Sequence, residues 1–127
     1  MITMSTYTVN HILDEKKRIL VREFAGSVIM EDVIDAWKQD ISSGIVNTQL
    51  KGVVTDFTNC KNNATMSELS QISDFYKSHF DIFRHFKHGV VLDSPGVAIL
   101  LMFENNYADI KHKAFCTNEA AMEWVSH

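Results

Sequence analysis

At 127 residues the chain is long enough for one domain with its own hydrophobic core, and 46% apolar against 22% charged residues is the balance of a soluble globular protein. A net charge of −4 offers no basic face for nucleic acid and no attraction to an anionic membrane. Two cysteines, Cys60 and Cys116, are too few for a disulfide framework, so free thiols in a reducing cytoplasm are expected.

The opening Met1–Thr6 has neither a basic nor an apolar run, so no secretory signal is predicted. The longest apolar run, Val97–Phe103, falls far short of the roughly 20 residues a membrane-spanning helix needs. Tyr7–Leu13 alternates and Arg18–Phe24 is rich in β-formers; the charged turn Asp14–Lys17 between them predicts an antiparallel hairpin. Gly26-Ser27 is read as the break after the second strand. A helix follows, with Met30, Val33, Ile34, Trp37 and Ile41 on one apolar stripe. Glu31 and Asp32 suit its first turn, and Gly44 suits the position just past its end.

Gly52–Phe57 reads as a buried strand, and the Asn-rich Thr58–Ala64 as a loop. Thr65-Met66-Ser67-Glu68 matches a capping box, and the helix behind it carries Leu69, Ile72, Phe75, Tyr76 and Phe80 inward. Asp81–Lys87 is expected as an irregular turn with Phe83 and Phe86 against the core. Gly89–Leu92 is continuously apolar, as in a strand covered on both faces. Ser94-Pro95 starts a further helix whose Val97–Phe103 is apolar all round. Ile110–Phe115 alternates, with Lys111 and Lys113 on one face and Ile110, His112 and Ala114 on the other, as suits an edge strand. Thr117 caps a last helix containing Ala120, Ala121, Met122, Trp124 and Val125. The order β-β-α-β-α-β-α-β-α predicts an α/β fold with a mostly parallel five-stranded sheet and an antiparallel first strand.

Few chemistries have a frame here. His79, His85 and His88 cluster in sequence, but no zinc-binding spacing surrounds them, so no metal and no cofactor are predicted. No nucleophile elbow or phosphate-cradling glycine loop occurs, so an enzyme is not expected. Asp56, Thr58, Asn59, Thr65 and Ser67 form a candidate partner or phospho-switch surface where a strand hands over to a helix start. Tyr76, Phe80, Phe83 and Phe86 form a candidate apolar pocket. Ile99, Met102 and Phe103 are a candidate homodimer surface.

Four stretches carry a resemblance: Gly26 with Glu31-Asp32, Val53–Phe57, Val90–Pro95 and the ending Ala114–Val125. Together, in this order and spacing, they resemble the SpoIIAA-like (STAS/Sec14-type) family of small bacterial domains, over nearly all of Tyr7–Val125. The resemblance implies the stacked β-α fold with Tyr7–Leu13 antiparallel at one end. Anti-sigma-factor antagonists of that family are phosphorylated on a serine where a helix follows a central strand. Here that region reads Asp56-Phe57-Thr58-Asn59-Cys60, without the family's serine pair and glycine. Sec14 relatives bind lipids under a lid, which has no counterpart in this length. The reading that results is a non-enzymatic, cytoplasmic protein-interaction domain, homodimeric, with a carrier of small apolar ligands or lipid as the alternative.

Overall fold

The computed structural model describes residues 6–63, 65–92 and 110–127. Strands β1 (Tyr7–Asp14), β2 (Ile19–Val28), β3 (Gly52–Asn62), β4 (Lys87–Val91) and β5 (His112–Phe115) lie side by side in chain order. β1 is antiparallel to β2, and every later pair is parallel. Helices α1 (Met30–Ser42), α2 (Leu69–Ser78) and the single turn α3 (Phe80–Phe83) pack on one face through Val33, Trp37, Ile72, Phe75 and Phe83. Helix α4 (Asn118–Val125) covers the other face, where Ala121 and Val125 meet Ile19, Val54 and Val91. The predicted sheet and its antiparallel first strand are present.

Period-2 alternation explains the two cores. Leu20, Phe24, Val53, Phe57 and Val90 point to the α1 and α2 side, while Ile19, Val54 and Val91 point to α4. Helix α1 is placed by Met30, Val33, Ala36 and Trp37, with its first turn acidic, and Gly44 takes φ +83 just beyond its end. Thr117 caps α4 by accepting from the Ala120 amide at 3.2 Å.

Three expectations change. Gly26-Ser27 does not end β2: Gly26 sits inside it at φ +101, paired with Tyr7, where a Cβ would run into the Thr6 carbonyl. Thr58–Asn62 is strand, not loop, because that longer β2 supplies Ala25–Val28 as its pairing partner. Phe80 is 40% exposed and faces away from the core. The helix expected at Val97–Phe103, with Ile99, Met102 and Phe103, lies outside the described residues.

Close helix-on-sheet contact depends on Gly52. A Cβ there would stand 2.7 Å from the Val125 Cβ. We expect Gly52→Ala to destabilise the fold by about 1–3 kcal/mol in thermal or urea unfolding. Combined with Val125→Ala, the loss should be smaller than the sum of the two single effects. Simple additivity would place α4 further from β3 than described.

Candidate functional site

Between Glu23–Asp56 and Ala25–Asn59 the β2–β3 register slips, with one residue on β2 opposite two on β3. This bulge at Phe57-Thr58 keeps Phe57 buried and turns Thr58 and Asn59 to solvent. Phe57 packs on Phe24, ring centroids 4.7 Å apart. Asp56 holds the bulge together: its Oδ1 accepts from the Thr58 amide at 2.8 Å and also from the Thr58 hydroxyl. Its Oδ2 accepts from Asn118 Nδ2 at 3.0 Å. Asp56 therefore lies at the first turn of α4, where the helix dipole favours a carboxylate.

The sequence ties Asp56 to the helix behind Thr65, but the hydrogen bond runs to α4 instead. Thr65 and Ser67 belong to a separate turn. Glu68 Oε1 accepts from the Thr65 amide and hydroxyl, both at 2.9 Å, and the Thr65 hydroxyl also meets Ser67 Oγ at 2.9 Å. The reciprocal half of the predicted box is replaced by a 3-10 turn over Met66–Glu68.

A second assembly was not predicted. Arg22, fully buried on β2, donates from Nε to Asp40 Oδ2 at 2.6 Å, and Asp40 is the innermost charged residue of α1. From Nη1 it donates to Thr55 Oγ1 at 2.9 Å. Thr55 Oγ1 meets His88 Nε2 at 2.8 Å, and His88 Nδ1 meets His112 Nδ1 at 2.9 Å. At the other end His11 Nε2 meets Asp40 Oδ1 at 2.8 Å. His11 pairs with Arg22 and Arg22 with Thr55 in register, so the polar row crosses all five strands. Trp37 roofs it, 3.8 Å from the guanidinium and 4.9 Å from the His88 ring.

Proton counting constrains this row. Arg22 can only donate, so Thr55 Oγ1 accepts from it, and a second proton lies between Thr55 Oγ1 and His88 Nε2. With both rings neutral, one of the two facing Nδ1 atoms carries the proton and the other accepts it, so the tautomers of His88 and His112 are coupled. Burial keeps both rings neutral: it pushes His88 well below the ordinary histidine range, aided by His112 and Arg22, and pushes His112 down to about 3. For Arg22, burial lowers the pKa while Asp40 opposes it. Near the β1 end of the row a concavity of about 350 Å³ is lined by Tyr7, Val9, His11, Ala36, Gln39 and Asp40.

The remaining candidates divide. Tyr76, Phe83 and Phe86 are buried as close-packed core; Tyr76 meets Phe83 edge-on at 4.6 Å and Phe83 meets Phe86 at 5.6 Å. Phe80, exposed, does not join them. His79, His85 and His88 go to three different surroundings: the Phe75 carbonyl, a surface concavity and the buried row. His88 and His112 are both buried. Cys60 and Cys116 are free thiols, and burial followed by Asp32 raises the Cys60 pKa, away from nucleophilic chemistry. No helix of the described residues is long and apolar enough to cross a membrane.

Comparison with known proteins places the fold. No known family profile matches the chain, and no curated protein matches its sequence. Among solved structures it is similar to an anti-sigma factor antagonist from Mycobacterium paratuberculosis, at TM-score 0.65 and 16% identity over 95% of each chain. It is also similar to an uncharacterised protein with a SpoIIAA-like fold from Shewanella loihica, at TM-score 0.62 and 11% identity over 98% of each chain. The chain has the SpoIIAA-like α/β fold.

Two outcomes test the buried row. Below pH 6.5 the unfolded chain protonates histidines that the folded chain keeps neutral down to about pH 3 for His112, so acid weakens the fold. The unfolding free energy in urea should fall from pH 6.5 to 5 with a slope approaching about 1.4 kcal/mol per unit for each buried ring. A flat profile would mean rings that are charged or wet in the fold. Arg22→Met should cost about 3–5 kcal/mol by stranding Asp40, and Arg22→Met/Asp40→Leu should recover much of it. Equal losses in both variants would contradict the pairing.

Proposed function

We propose that this chain is a non-enzymatic regulatory domain, homodimeric, that presents the bulged end of β3 and the Thr65–Glu68 turn to a protein partner. The observation that carries this reading is the bulge itself. Asp56 fixes the Thr58 backbone and hydroxyl from below, leaving Thr58 and Asn59 as an exposed polar surface on a rigid strand. The SpoIIAA-like fold supports it, since one structural neighbour is an anti-sigma factor antagonist.

Thr58 is the residue where a switch would act. A phosphoryl group there adds roughly −1.5 to −2 charge beside the Asp56 carboxylate. Repulsion would break the Asp56–Thr58 bonds, and among the described residues only the Asn118 amide remains on Asp56 to hold it. Thr58→Glu imitates part of that charge. In pull-downs from a lysate of the source organism, Thr58→Glu should lose about tenfold or more of a partner retained by wild type and by Lys17→Gln, a change in the distant β1–β2 turn. Identical capture by wild type and Thr58→Glu, with an unchanged dimer in native mass spectrometry, would sink the switch.

A small-ligand carrier is the second reading, favoured by the concavity of about 350 Å³ between β1 and α1 rather than by the aromatic cluster. Extra mass on the native protein, lost in Ala36→Phe, would establish it. Native protein without bound mass would remove it.

A further inference from the structure

Strands β3, β4 and β5 run parallel, so their starts share one edge of the sheet, opposite the bulge. Lys51 immediately precedes β3, Lys87 opens β4, and Lys111 immediately precedes β5. The register aligns Gly52 with Lys87 and His88 with His112, which sets the three lysines at neighbouring strand heads. Backbone bonds fix them there. Lys87 N–H donates to the Lys51 carbonyl at 3.3 Å, and His88 N–H donates to the Lys111 carbonyl at 2.8 Å. Arg84 and His85, just after α3, close the ring.

These residues and His127 line a concavity of about 150 Å³, and among the described residues no aspartate or glutamate lines it. Four of the chain's 12 lysines and arginines therefore gather at one spot of a protein whose net charge is −4. Among the described residues none of the four is ion-paired; the salt bridges involve Arg22, His11 and His127. Lys87 Nζ donates to the Trp124 carbonyl at 3.3 Å and stands 5.2 Å from the Trp124 ring. It thereby offsets the negative end of α4, which would otherwise oppose an anion.

We propose that this concavity binds a small dianion of the phosphate class, either free phosphate or the phosphoryl group of a small metabolite. Like charges held this close repel one another, and a tetrahedral dianion relieves the repulsion while accepting from several donors at once. Size fits the class: a concavity of about 150 Å³ has room for one phosphoryl group. The site is independent of the protein-interaction surface, which lies at the other end of the strands.

The experiment is an amide NMR titration of the full chain with inorganic phosphate, then with glycerol phosphate, at low salt. Saturating shifts should centre on Lys51, Arg84, Lys87 and Lys111. In Arg84→Gln/Lys111→Gln, both exposed positions, binding should weaken about tenfold or more with an unchanged melting temperature. Lys38→Gln/Lys61→Gln, on the exposed face of α1 and at the far end of β3, should bind as wild type. Tighter binding of the ester identifies a metabolite as the source, and tighter binding of inorganic phosphate identifies the free ion. Shifts that never saturate, or that weaken equally in both double variants, would overturn the site. So would saturation by an acidic peptide at concentrations where phosphate is silent.

Discussion

A guanidinium with no exposed surface has to find its counter-charge inside the protein, and Arg22 finds Asp40. Removing two such ions from water costs about as much as their attraction returns, so the pair adds little to net stability against an apolar substitute. Its effect is on geometry. Asp40 meets Arg22 only if α1 lies with Trp37 and Asp40 turned to the sheet, and Arg22 reaches Thr55 only in the observed β2–β3 register. A one-residue slip would turn Arg22 and Thr55 to the α4 face, among Ile19, Val54 and Val91. The row thus ties one helix and five strands to a single arrangement.

Much of this fold is legible in local pattern. The alternation of β1 and β5, the stripe of α1, the capping threonine of α4 and the continuous apolar run of β4 all read correctly, because each is decided by residues a few positions apart. The misses have a common cause. Thr58–Asn62 is too polar to look like a strand and becomes one only because Ala25–Val28 offers it hydrogen bonds. The row was half visible: Arg22 alternates with Leu20 and Phe24, and His112 with Ile110 and Ala114, which puts both on core faces. Their partners are 18 to 33 positions away, beyond the reach of periodicity. At the candidate site, Asp56 and Thr58 were identified, but the link to Asn118 spans 62 positions and appears only in the fold.

The sheet separates three kinds of chemistry. Its middle holds a buried, charge-balanced row with no exposed histidine except His11 at the β1 end. The end of β3 offers neutral polar groups, fixed from below by one carboxylate. The heads of β3, β4 and β5 gather cations. Parallel topology makes this possible, because it sends all strand starts to one edge and all strand ends to the other. The proposed interaction surface and the proposed anion site can then be altered separately, without touching the row between them.

The protonation of the buried row is the most direct point of test, since burial requires both rings to be neutral and their contact requires one shared proton. Long-range nitrogen–proton NMR of the imidazoles at neutral pH distinguishes protonated from bare ring nitrogens. We expect neutral rings in both histidines, with one proton between the two facing Nδ1 atoms. A charged ring at either position, or facing Nδ1 atoms that are both protonated or both bare, would contradict the row and with it this account of how the sheet and α1 are held.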